Sequence, residues 1–406
     1  MIDHADERRR LLRFAQAAEV PAGFGWLDDR GTPDPAEPVH TWITTRMTYV
    51  FALAHLAGES DAVDGRALAL AEHGVRALGG PLRDTERGGW FASVSADGSP
   101  DDIRKQAYAH AFVVLAAAKA SVAEVRGADE LLADALGVVE GHFLDDRGRV
   151  IDELAPDLGP ASDYRGDNSS MHMVEAFLAA ADVTGDAAWR QRALAIAEHL
   201  VHEVARGHDY LLPEHFGADW EPQPDYNEDD PADPFRPFGC TPGHLLEWSR
   251  LLLHLEAGTD SPPRWLLEDA HGLFDAAVES GWAVDGTPGF VYTVDWKRRP
   301  VVRSRMHWVH AEAIAAAAAL HRRTGDPAFA GWQSTGEDFV EEYLIDLHGG
   351  SWHHELDADN VPASTVWHGK PDVYHAYQAL LLAELPLAPV AAVLLRDGGD
   401  AGRPGR

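Results

Sequence analysis

Apolar residues recur at i, i+3, i+4 and i+7 through most of the chain, as in VDGRALALAEHGVRAL (63–78), DELLADALGVVEGHFL (129–144), WRQRALAIAEHLVHEV (189–204) and HAEAIAAAAALHRRTG (310–325). That period belongs to helices, while the strict alternation of strands is confined to short pieces. The pattern predicts about twelve helices in six pairs: 4–20 with 41–58, 64–78 with 103–121, 129–144 with 167–185, 187–203 with 240–258, 264–280 with 306–325, and 330–346 with 371–385.

The connectors repeat as well. GGWFASVSADGSP (88–100), LLPEHFGADWEPQ (211–223), GFVYTVDWKRRP (289–300) and GSWHHELDADNVP (350–362) are aromatic-rich pieces with a polar turn and a closing proline, each reading as a short β-hairpin. TGDAAW (184–189) and TGDPAF (324–329) each close one helix and offer Asp as the cap of the next. The second helix of every pair opens with unusual residues: Trp42 and Arg46, Tyr108 and His110, Asn168 and His172, His244 and Glu247, Trp308 and Glu312, Asp372 and His375. One marker from each, at 46, 108, 172, 244, 308 and 375, gives steps of 62, 64, 72, 64 and 67 residues. Six stacked helical hairpins can close on themselves, so the expected fold is an all-α (α/α)6 barrel with short β-hairpins in the connecting loops. In that fold the second helices form an inner ring whose first turns converge on one mouth.

Composition narrows the partners. The chain has 34 Lys and Arg against 66 Asp and Glu, a formal charge of -32, which repels nucleic acid and anionic membranes and leaves a neutral small molecule as the expected ligand. Cys240 is the one cysteine, so no intrachain disulfide forms, and a reducing compartment fits. The charged N-terminus does not read as a signal peptide, and no window approaches the roughly 20 apolar residues of a membrane span, so a cytoplasmic location is expected. Residues 1–388 are expected to form a single domain and 389–406 a disordered tail ending in DGGDAGRPGR. A homo-oligomer is left open.

Each inner helix would present unsatisfied N–H groups and the positive end of its dipole to the cavity, favouring negative charge there and the neutral form of a nearby imidazole. A neutral imidazole can accept a proton at pH 7. His244 and Glu247 lie at i and i+3 on one helix face, compatible with a metal clip, a satisfied core pair or a proton-transfer device. A di-metal site built on Glu-x-x-His would need the motif twice with further carboxylates, and no second copy is found, which makes the metal reading the weaker one; no cofactor is expected. Arg46, in an otherwise apolar helix, must be paired or face a polar cavity. Trp42, one turn earlier, could stack on a sugar ring. His375 alone reads more readily as core than as catalyst, but polar pairs at the corresponding place of six repeats favour a site.

Taken together, Arg46, Asn168 with His172, GHLLEW with His244 and Glu247, HWVHAEA with Trp308 and Glu312, and KPDVYHAYQA with His375 resemble the N-acylglucosamine 2-epimerase superfamily, in its aldose–ketose isomerase branch. The resemblance runs from about residue 10 to 385. It implies an (α/α)6-barrel enzyme that needs no metal and moves a proton on an open-chain sugar through a cis-enediolate. By resemblance His375 and His244 are the acid/base pair with Glu247 supporting His244, Arg46 and His172 hold the reacting oxygens, and Tyr108, Asn168, Trp308, Glu312 and Trp42 shape the pocket. Relatives acting on disaccharides carry an aromatic residue two positions before the last histidine. Val373 stands there in this chain, so an unphosphorylated monosaccharide is expected, mannose in exchange with fructose first and lyxose with xylulose second.

Sugar 2-epimerisation and isomerisation of sulfoquinovose remain alternatives within the superfamily. From outside it, an α/α-barrel glycoside hydrolase would need two opposed carboxylates, for which Glu247, Glu312 and Asp372 are the candidates. A non-catalytic sugar-binding module would need stacking and hydrogen bonds but no paired histidines.

Overall fold

Five helices lack a continuous polar face and are buried along nearly their whole length: α2 (Thr41–Leu56), α4 (Ala107–Val122), α6 (Asp167–Thr184), α8 (Pro242–Gly258) and α10 (His307–Thr324). A helix without a polar face is stable only when neighbours cover it. Those that follow α2, α4 and α8 bury one face: α3 (Ala67–Leu78), α5 (Ala128–His142) and α9 (Trp265–Gly281). The remaining helices are α1 (His4–Ala15), α7 (Ala187–Ala197), α11 (Pro327–Phe339), α12 (Tyr374–Leu382) and α13 (Ala391–Arg396). The computed structural model describes residues 2–398.

The chain divides into two compact units, one of residues 2–8, Ala197–Gly369 and His375–Pro389, the other of Arg9–Ile196, Lys370–Tyr374 and 390–398. In the first, α8 packs on α10, α9 on α8, and α11 on α10. In the second, α2 packs on α4 and α4 on α6, with α3 on α2 and α5 on α4.

This partnership departs from the expected pairing in one respect: α2, α4, α8 and α10 each pack on the helix that follows far more than on the one before. Loop length is the reason. Between α4 and α5 only residues 123–127 intervene, and between α10 and α11 only 325–326, and short links force antiparallel neighbours. The TGD links are built as their sequence suggests, with Gly185 and Gly325 at positive φ and the Asp186 and Asp326 side chains accepting from the N–H groups of Ala188 and Ala328 at 2.9 Å.

The long connectors lie at the other end, ahead of each buried helix. All four expected hairpins are present, with bridges joining Val94 to Pro100, Phe216 to Pro222, Val294 to Pro300 and Leu356 to Pro362, and Leu27–Pro33 and Leu154–Pro160 add the two not foreseen. In every case a buried apolar residue bridges a proline six positions later, and proline, lacking an N–H, ends the strand there. Connectors are also sewn to one another. Val39–His40 pairs antiparallel with Ser93–Val94, Lys105–Gln106 with Glu153–Leu154, and Arg305–Met306 with Glu355–Leu356, while Cys240 and Val294 exchange two backbone hydrogen bonds of 2.9 Å. Gly239 permits that last exchange: its φ is +95°, and a Cβ would stand 2.3 Å from the Val294 carbonyl oxygen.

The tail expected at 389–406 is in part ordered. Helix α13 buries Ala391, Ala392 and Val393 and packs on α2 and α4, because VAAVLL supplies an apolar face that the charged sequence after it lacks; residues 399–406 lie outside the described residues.

Candidate functional site

In the first unit α8 and α12 each begin with a histidine in the opening turn, His244 and His375. Both rings rest on the indole of Trp308, the second residue of α10, with centroids 5.1 Å and 5.7 Å from it. Gly243 makes room for the indole, since a Cβ there would lie 2.5 Å from a ring carbon of Trp308. Nδ1 of His375 is 2.9 Å from Oε1 of Glu312, and Nδ1 of His244 is 2.7 Å from Oε2 of Glu214. A carboxylate on Nδ1 holds the proton there and leaves Nε2 with the lone pair, the tautomer a base requires.

Glu214 corrects one expectation. The carboxylate at His244 Nδ1 comes from the LLPEHF connector, whereas Glu247, given that role by resemblance, accepts from Nη2 of Arg250 at 3.2 Å. An i, i+3 pair shares a helix face, but a strand ahead of the helix brings its carboxylate to the imidazole edge. The other oxygen of Glu214 accepts from the Thr241 N–H at 2.9 Å. Burial raises the pKa of this carboxyl, but His244 and the hydrogen bonds outweigh it and hold it below the usual carboxylate range. Glu312, expected to shape the pocket, instead holds His375.

Glu247, Glu312 and His375 place their donor atoms within 4.8 Å of one another, a set able to hold a cation. Arg250 reaches both carboxylates of that set, its Nε donating to Oε2 of Glu312 at 2.9 Å.

In the second unit Arg46 lies inside an aromatic cage, its guanidinium carbon 5.1 Å from the ring centroid of Trp42, 5.8 Å from Tyr108, 4.6 Å from Phe112 and 5.0 Å from Tyr374. It donates to Asp372 Oδ2 at 3.1 Å and to the Tyr108 hydroxyl at 2.7 Å. Burial lowers its pKa, and Tyr108, Asp372 and Tyr374 more than offset that, so it stays charged. Asn168 opens α6 one turn ahead of His172, whose Nδ1 is 3.6 Å from Glu175 Oε2, and the same oxygen accepts from the Tyr374 hydroxyl at 2.7 Å.

His110 belongs to the scaffold. Its Nε2 accepts the Trp90 N–H at 3.1 Å and its Nδ1 donates to the Gln106 carbonyl at 2.7 Å. His310 repeats the arrangement with Phe290 at 3.0 Å and Met306 at 2.9 Å. Burial lowers both imidazoles to a pKa of about 3, so they stay neutral. Glu214, Glu175 and Arg250 were not singled out from sequence, yet each is a charged residue in an apolar run, the signal that exposed Arg46.

Two imidazoles at helix starts, each keyed to a carboxylate, are the equipment of a proton-moving enzyme. Residues 22–379 match the N-acylglucosamine 2-epimerase (GlcNAc 2-epimerase) family, and the chain belongs to that family. It is 55% identical over 97% of its length to a D-mannose isomerase of Thermobifida fusca, covering 96% of that protein, and 50% identical over 95% to one of Pseudomonas cannabina pv. alisalensis, covering 93% of it. A solved D-mannose isomerase superposes with a TM-score of 0.85 at 28% identity, over 94% of this chain and 96% of the other. The chain is an isomerase of this family with the all-α (α/α)6 fold that was expected.

Proposed function

We propose that the protein is a metal-independent aldose–ketose isomerase for unphosphorylated monosaccharides, converting D-mannose to D-fructose and, as a second pair, D-lyxose to D-xylulose. Relatives with 50–55% identity named for the first of these reactions support the substrate. The observation that carries the reading is the pair of histidine–carboxylate dyads resting on one indole, His244 with Glu214 and His375 with Glu312.

One imidazole protonates and deprotonates the ring and anomeric oxygens to open the pyranose. His375 Nε2 then takes the C2 proton, the electrons of that C–H bond form the C1=C2 bond, and the aldehyde oxygen becomes the enediolate oxygen. The hydroxyl proton on O2 moves to O1 as the ketone forms, and the imidazolium returns its proton to C1. No atom is gained or lost. The first-turn N–H groups of α8 and α12 favour the negative intermediate. The roles given by resemblance to Arg46 and His172, holding the reacting oxygens, belong to this same reading, as do those of Trp42, Tyr108 and Asn168 in shaping the pocket.

Two basic groups also suit a 2-epimerase, which must return the proton to the opposite face of C2. Incubating the enzyme with mannose in D2O containing EDTA and following it by NMR separates the readings. Fructose supports isomerisation, with deuterium at C1 to the extent that the imidazolium exchanges its proton with solvent before returning it, glucose labelled at C2 means epimerisation, and loss of turnover with the chelator overturns the metal-free mechanism.

A further inference from the structure

We propose that Arg250 is a positioning residue that keeps Glu312 ionised and aimed at His375, so that it sets the pH at which the base works. The inference rests on the reading of His375 as the base and assigns a task to a side chain that reading does not use.

Arg250 is only 2% exposed, and it lies one turn after Glu247 on α8. Glu312 divides its two oxygens between partners: Oε2 accepts from Arg250 Nε at 2.9 Å and Oε1 faces His375 Nδ1 at 2.9 Å. Glu247 Oε1 accepts from Nη2 of the same guanidinium at 3.2 Å. Two carboxylates held this close in a buried place would repel, and without a cation one of them would bind a proton. A protonated Glu312 would hold His375 with half its anchoring and none of its charge. Arg250 supplies the cation from inside the fold, and its planar fork reaches both carboxylates at once, which an ammonium cannot do with the same geometry.

The sign follows from charge. Within this unit the titratable or charged groups around His375 include Glu312 and His307 from α10 and Glu247, Arg250 and His244 from α8, the last with Glu214 behind it, and the His375 and His307 centroids are 6.5 Å apart. With Arg250 present, Glu247 and Glu312 are balanced by one positive charge. Without it the cluster takes up a proton more readily, and whichever member carries that proton, His375 loses its working state at a higher pH.

The test is the pH profile of kcat/KM for Arg250→Gln, Arg250→Lys and Glu247→Gln, with thermal melting as the folding control. Arg250→Gln is expected to move the acid limb upward by about one pH unit and to lower kcat/KM at pH 7 by about tenfold or more. Arg250→Lys, which keeps the charge and loses the fork, keeps the limb near the parent's and recovers part of the rate. Glu247→Gln removes one negative charge and moves the limb downward. If Arg250→Gln does not fold, the opposite shift in Glu247→Gln decides. An acid limb that stays in place in every folded variant, with only the melting temperature changed, overturns the proposal. His375→Asn is the control for the underlying reading: parental activity there would sink the assignment of the base, independently of Arg250.

Discussion

At the scale of single residues, the difference between His110 and His244 lies in what each nitrogen touches. Both are buried on an α-helix at a repeat position. His110 spends both nitrogens on backbone groups and is neutral over the whole working range, whereas His244 faces a carboxylate, so its proton can be exchanged without orphaning a backbone group. Glu214 should therefore matter to rate more than to folding. Glu214→Gln keeps an acceptor for the Thr241 N–H but removes the counter-charge of the His244 imidazolium. It is expected to lower kcat about 10²-fold, at the low end of what general acid–base groups contribute, and to move the alkaline limb of the profile to lower pH. A variant with the parental profile would leave His244 without its supposed helper. Sequence reading singled out His244, His375, Arg46 and His172 because a polar residue at a helix start is conspicuous. It missed Glu214 because the partner of a helix residue can arrive from a connector thirty positions away, and spacing on one helix says nothing about that.

At the scale of elements, the repeat is held by a small set of contacts used more than once. Lys105 pairs with Asp84 at 2.8 Å and Arg305 with Asp285 at 2.7 Å, each just before a buried helix, and His110 and His310 each accept an N–H from the connector that precedes them. Replacing His310 with Ala would leave the Phe290 N–H buried without its acceptor, a loss of about 1–3 kcal/mol in unfolding free energy. Chemical denaturation should show that loss while the pH dependence of catalysis stays as in the parent, since no step uses His310. Twelve helices were legible from period alone, and so were the TGD caps, while α13 was not. Which neighbour each helix packs on was not legible either, because the step of 62 to 72 residues is the same whichever way the pairs are drawn, and the decision falls to the length of two loops. The two extra hairpins escaped for a different reason: ELAPDLGP has no aromatic residue and GWLDDRGTP only Trp26, although both keep the apolar residue six places ahead of proline.

At the scale of the molecule, the charge balance shows itself in how the chain's first helix is fastened. His4 bonds Glu337 at 3.0 Å and lies 3.5 Å from Glu384, and these two carboxylates raise its pKa to about 9. A histidine whose folded pKa exceeds its unfolded value of 6.5 contributes stability that is full below that value and is lost as pH rises through about 9. Comparing melting temperatures of the parent and His4→Gln between pH 6 and 10 should show the gap closing toward the alkaline end, with a contribution on the order of 1 kcal/mol after allowing for solvent screening. A gap that stays constant would mean the imidazolium plays no part. No helix among the described residues is long and apolar enough to cross a membrane. The proline closures carry a consequence for how such a chain can change. Because each of these six turns is shut by its own proline and four neighbouring pairs of connectors are fastened by backbone bonds, chain added or removed between closure and helix is expected to leave the first turn where the histidines sit unshifted. In 206–241, the longest of the connectors, that freedom falls between Pro222 and Thr241, past Glu214 and ahead of the first turn of α8.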